Sequence, residues 1–101
     1  MNGEILPEKD PAEAVLVGID FAADLGAETM ATIGWACTVV DGVDPAASAM
    51  LLGSPINGAA PEFRHMVQAG IHGNLYELRV TITTSGGRTL VGTVELPVRT
   101  A

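Results

Sequence analysis

Two histidines, one cysteine, one tryptophan, one tyrosine and a scatter of carboxylates are the residues here with chemistry to offer. His65, His72 and Cys37 are potential zinc ligands, but they show no CxxC or HxxxH spacing, the pairing that structural zinc sites use. Cys37 shares an alternating apolar run with Trp35 and reads as a buried, inert thiol rather than a nucleophile. Asp20, Asp24 and Glu28 recur every fourth residue, and on a helix they would stack three mutually repelling carboxylates. Gly26 interrupts that segment, so a solvated acidic loop is the better reading. Asp41-Gly42-Val43-Asp44 lacks the alternating oxygen ligands of a calcium loop. Ser85-Gly86-Gly87 precedes a strand and is not followed by lysine, which argues against a phosphate cradle. Trp35, alone among alternating apolar residues, reads as core rather than as a stacking platform. The inventory points away from an enzyme, with no cofactor, no metal and no small-molecule substrate expected.

The elements that must position these residues are written mainly in period two. From Leu75 to Thr84, Tyr76, Leu78, Val80 and Ile82 fall on one face while Glu77, Arg79, Thr81 and Thr83 fall on the other. Ser85-Gly86-Gly87 supplies a turn, with Gly86 and Gly87 as its structural residues. Alternation then resumes with Leu90, Val94, Leu96 and Val98 inward, which makes a β-hairpin. Val15, Val17, Ile19 and Phe21 predict an earlier strand. Ala31, Ile33, Trp35, Cys37 and Val39 predict another from Thr29 to Val40, and Phe63 to Gln68 a further one. Ala46 to Leu52 is expected to be a short strand, and Asp10-Pro11 with Glu13 could open one helical turn. Tyr76 follows Gly73-Asn74 at the entrance to the strongest strand. An immunoglobulin-like sandwich has a tyrosine there that turns its hydroxyl onto nearby backbone; the alternative is an ordinary core aromatic. The expected fold is all-β, an immunoglobulin-like β-sandwich of about seven strands over residues 14–101, after an extended N-terminal arm over residues 1–13.

Composition narrows the function classes. The 101 residues carry 12 acids and 5 bases, a formal charge of −7, which disfavours a nucleic-acid binder. The imbalance lies wholly in residues 1–60, where nine acids face the single base Lys9. The apolar fraction of 48% excludes intrinsic disorder, and no apolar run approaches the roughly 20 residues of a membrane-spanning helix. Met1 to Asp10 is polar and acidic, with no sign of a signal peptide, and a single cysteine fits synthesis in a reducing compartment. Fourteen alanines and twelve glycines against 4% aromatics suit close backbone approach and some apolar surface left for neighbours.

Lys9-Asp10-Pro11, the Gly18-Ile19-Asp20-Phe21 strand, Thr29-Met30 leading to Trp35, Gly73-Asn74-Leu75-Tyr76 and Thr83-Thr84-Ser85-Gly86-Gly87-Arg88 together resemble a small family of tailed-phage structural proteins, the fiber–tail adaptors. The resemblance runs from about Lys9 to Val98 and departs at Phe21, where the family has Trp. It implies a virion protein present in several copies in a symmetric assembly, bridging the tail or neck to the fibers. Its partners would be other tail or neck proteins and the fiber, without nucleic acid or membrane, and assembly would take place in the bacterial cytoplasm. Lys9, Asp10, Pro11, Asp20, Asp24 and Glu28 are the candidate interface residues, with Trp35, Tyr76, Gly86 and Gly87 structural. Alternatives are a head–tail connector, a capsid decoration protein or a free immunoglobulin-like binding module.

Overall fold

The computed structural model describes residues 4–56 and 61–100. Among them are seven strands: β1 (Glu4–Ile5), β2 (Val15–Asp20), β3 (Met30–Asp41), β4 (Leu51–Ile56), β5 (Glu62–Val67), β6 (Leu75–Thr84) and β7 (Thr89–Pro97). One sheet has the order β1-β7-β6-β3 and the other β2-β5-β4. Every pairing is antiparallel except that of β1 with β7. An immunoglobulin sandwich pairs its second, fifth and fourth strands in one sheet and its third, sixth and seventh in the other, which is the order found here.

The core is where period two puts it. Tyr76, Leu78, Val80 and Ile82 of β6 are wholly buried and meet Val94 and Leu96 of β7 on the same face. From the opposite sheet come Val17 and Ile19 of β2 and Phe63 and Val67 of β5, also buried. Phe63 packs against Phe21 with ring centroids 5.8 Å apart. β6, the central long strand, is thus buried on its inner face along its whole length, as the regular alternation of its sequence demands.

Four expectations change in detail. Ala46 to Leu52 is not a single strand: Ala47–Met50 forms a 3-10 turn, and β4 begins at Leu51. Asp44 Oδ1 accepts the Ala46 N–H and opens that turn, and residues three apart on it, Ala47 and Met50, are both buried. Ala31 is exposed because a register shift between Met30 and Thr32 breaks the alternation of β3 there; Ile33, Trp35, Cys37 and Val39 keep the inner face. Asp10 does not start a helix. Its Oδ1 accepts from Ala12 N–H, its carbonyl accepts from Glu13 N–H, and the chain turns directly toward β2. The acidic loop holds one helical turn, α1 (Ala22–Leu25), with Leu25 buried and Asp20 Oδ1 accepting from Ala22 N–H.

The N-terminal stretch read as an arm lies, from Glu4 onward, along its own β7. Leu6 N–H donates to Glu95, Lys9 N–H to Pro97, and Lys9 bridges Val98. Backbone donors without a strand partner would otherwise face water beside an open edge.

Candidate functional site

The long axis of the sandwich runs about 42 Å, and the polar side chains that do something specific gather at its two ends. β2 separates Asp10-Pro11, before its start, from Asp24 and Glu28, beyond its finish, by roughly 20 Å of strand.

At the first end, Tyr76 ties two loops to β6, the one after β3 and the one before β6. Its Oη donates to Asp44 Oδ2 at 2.7 Å and accepts from Ile71 N–H at 2.9 Å, five residues upstream, the geometry of a tyrosine corner. Asn74 Nδ2 donates to the same oxygen at 3.2 Å and to Val43 carbonyl at 3.1 Å. Burial, and then the bond to the Asp44 carboxylate, push the phenol above its ordinary pKa, so it remains a neutral donor. Beside it lies Lys9, only 1% exposed. Its Nζ donates to Asp10 carbonyl at 2.8 Å and Ala69 carbonyl at 2.6 Å. Ala69 stands at φ +55°, a left-handed conformation that a side chain disfavours, and the buried ammonium fixes its carbonyl. Burial lowers the Lys9 pKa, while the Glu13 and Asp10 charges oppose that shift. Around this corner Val40, Val43 and Ile71 are exposed apolar residues, Val43 to 80%.

At the second end, the β6–β7 hairpin clasps α1 across the sandwich. Arg88 pairs with Glu28 at 3.0 Å and donates to Asp24 carbonyl at 2.7 Å. Glu28 also accepts from Thr84 Oγ1 at 2.5 Å, and Ser85 and Thr29 exchange two hydrogen bonds. The Thr84 hydroxyl and then Arg88 hold the Glu28 carboxyl below its ordinary pKa. Gly87, at φ +86°, closes the hairpin by donating to Thr84 carbonyl, and Gly86 passes so near the Glu28 carboxylate that a side chain there would have to push that carboxylate aside.

The sequence-based candidates therefore divide. Asp24 and Glu28 meet at Arg88 of the hairpin, and Asp20 caps the start of α1; Asp10 and Pro11 lie at the other end; Lys9, although in the same motif, is buried. Trp35 is half-buried, its ring edge-on to His65 with centroids 5.4 Å apart, and its Nε1 is buried without a hydrogen-bond partner. His65 is buried with Nδ1 2.9 Å from Met66 carbonyl, while His72 Nδ1 accepts from Thr100 N–H. Burial pushes the Cys37 thiol up to about 11, and its Sγ lies 3.9 Å from Met50 Sδ. Among the described residues no group of three or more His, Cys, Asp or Glu is placed to hold a metal ion. Sequence reasoning missed the Arg88–Glu28 clasp, formed across 60 positions, and the burial of Lys9; the only hint of the latter was one lysine isolated among nine acids.

Residues 9–97 match a family model, Gp77, described as the podophage GP4 fiber-tail adaptor protein gp77. The matched span opens on Lys9 and closes on Pro97, the end of β7, so it takes in both polar ends. No curated protein and no solved structure gives a significant match. The family is one of structural adaptors, not of enzymes. With almost the entire sandwich inside the match, this chain belongs to the podophage fiber-tail adaptor family.

Proposed function

We propose that the protein is a virion component that joins the tail fibers to the phage tail through protein–protein contacts, with several copies arranged around the tail. The observation that carries this reading is the family match over residues 9–97. The architecture supports it. An elongated sandwich with chemically different ends can meet two different bodies at once: one end presents Val40, Val43 and Ile71 around the tyrosine corner, the other Asp20, Asp24 and Glu28 beside the hairpin. Apolar surface suits a stable seat, and a charged tip suits orientation of a second partner. The rigid pairing of β6 with β7 along nine residue pairs is what holds these ends at a fixed separation. No helix among the described residues is long and apolar enough to cross a membrane.

Cryo-electron microscopy of the virion tests the proposal directly. Density for this seven-strand sandwich is expected at the junction between tail and fiber, and particles assembled without the protein should carry tails but no fibers. Density at the head–tail joint or on the capsid lattice, or fully fibered particles lacking the protein, would overturn it.

A further inference from the structure

An immunoglobulin sandwich of the constant type lays its first strand beside its second, completing a four-stranded sheet. Here the first strand, β1, pairs instead with β7, and the sheet β2-β5-β4 ends at β2. Among the described residues nothing pairs with the outer edge of β2, six residues long, so alternate backbone donors and acceptors along it have no strand partner. The place is also hollow: two clefts lie between β1–β7 and β2, and Leu6 and Gly18 line both. Leu16 and Gly18 are exposed beside this open edge.

The other edges differ. β1 has two residues, and β4 is interrupted by Pro55 and an irregular register, both of which hinder strand addition. β3 is long, but between Met30 and Val40 it carries no charge that would select an occupant. The β2 clefts do carry one. Glu4, Glu8, Glu13, Asp20 and Glu62 line them. Arg99 pairs with Glu8 and Arg64 with Glu62, whereas Glu4, Glu13 and Asp20 make no ion pair among the described residues. Among the described residues the one cation lining the clefts, Lys9, is buried with its ammonium on two carbonyls.

Resting on the adaptor reading, we propose that the outer edge of β2 receives an extended, lysine- or arginine-rich segment of a partner virion protein as an added strand. Main-chain hydrogen bonds to β2 would seat it, and the carboxylate rim would select its charge and direct its approach. The added strand takes the place that β1 leaves vacant, so the partner completes the sheet of the adaptor.

Hydrogen exchange on the full chain tests this with a synthetic peptide of about eight residues alternating lysine with valine. Two controls accompany it: its glutamate counterpart, and the lysine peptide with methylated backbone nitrogens. The lysine peptide alone should slow exchange at amides of residues 15–20, by roughly tenfold. The effect should be lost in a Glu4→Lys, Asp20→Asn variant that melts as the parent does, since asparagine keeps the acceptor for Ala22. Equal protection by either control, or none by the lysine peptide, overturns the proposal. So does protection of β2 that rises with the protein's own concentration, because the occupant would then be a second copy. The tail and fiber proteins of the same virion provide a separate arm. A complex that leaves residues 15–20 unprotected refutes the added strand and keeps the adaptor reading, whereas binding to neither protein refutes the adaptor reading itself.

Discussion

The two ends of the sandwich use similar hydrogen bonds under opposite conditions. At the corner end, the phenol of Tyr76, the amide of Asn74 and the ammonium of Lys9 are all buried, and each is matched by donors or acceptors from loops distant in sequence. At the hairpin end, Glu28 and Arg88 are also multiply bonded, but both side chains remain open to solvent, 30% and 47% exposed. Water can replace partners at the second end and cannot at the first. The lesson is that the corner should govern stability, while the clasp should mainly set the posture of α1 and the hairpin and leave charge available.

Glycine substitutions separate the ends most sharply. Gly42 sits at φ +109°, and a Cβ there would overlap the Asn74 carboxamide that serves the corner. Gly42→Ala is therefore expected to cost about 3 kcal/mol, combining backbone strain with displacement of Asn74. Urea unfolding measures it, and a loss below about 1 kcal/mol would contradict the burial argument. Tyr76→Phe should come next, at about 1–3 kcal/mol, because Ile71 N–H, Asn74 and Asp44 all lose a partner while the ring still fills its site. An unchanged midpoint would show that water takes over the hydroxyl's place. The reference substitution is Gly86→Ala at the other end. Its φ is not positive and its obstruction is the far end of the Glu28 side chain, which can swing away. It should shift the midpoint by less than either corner variant.

How much was readable in advance follows the same division. Strand β6 and the hairpin were legible because alternation over ten residues admits one burial pattern, and Tyr76 was legible because a lone tyrosine after Gly73-Asn74 sits where a corner requires it. The partners of that tyrosine were not legible. Asp44 is 32 positions away, in a stretch whose alanines hid a 3-10 turn followed by a strand. Lys9 was a candidate interface residue through the Lys9-Asp10-Pro11 element; lysine is almost never fully buried, and only its carbonyl partners, one of them on Ala69, explain why it is buried here. Asp20, Asp24 and Glu28 were recognised as a group from their spacing, yet the arginine that organises one of them comes from the far end of the chain. Local pattern reveals which face is buried; it does not reveal which loop arrives opposite.

The clasp gives the smallest expected effect and the most specific one. Glu28 has its carboxyl held below the ordinary value near 4.5, first by the Thr84 hydroxyl and then by Arg88. A carboxyl whose folded pKa lies below its unfolded value contributes stability that is complete above the unfolded value and disappears as pH falls through the folded one. Glu28→Gln should therefore lower the melting temperature slightly at pH 7, and the gap between variant and parent should close progressively as the pH falls below about 4.5. Tyr76→Phe supplies the contrast: the tyrosine's raised pKa makes its contribution complete below pH 10, so its deficit should not shrink through the carboxylate range on its own account. Melting curves at pH 7 and pH 3 for the parent and both variants distinguish the two behaviours. If the Glu28→Gln gap stays constant with pH, the carboxylate is not what holds the hairpin to α1, and the carbonyls of Asp24 and Leu25 that face Arg88 must hold it instead.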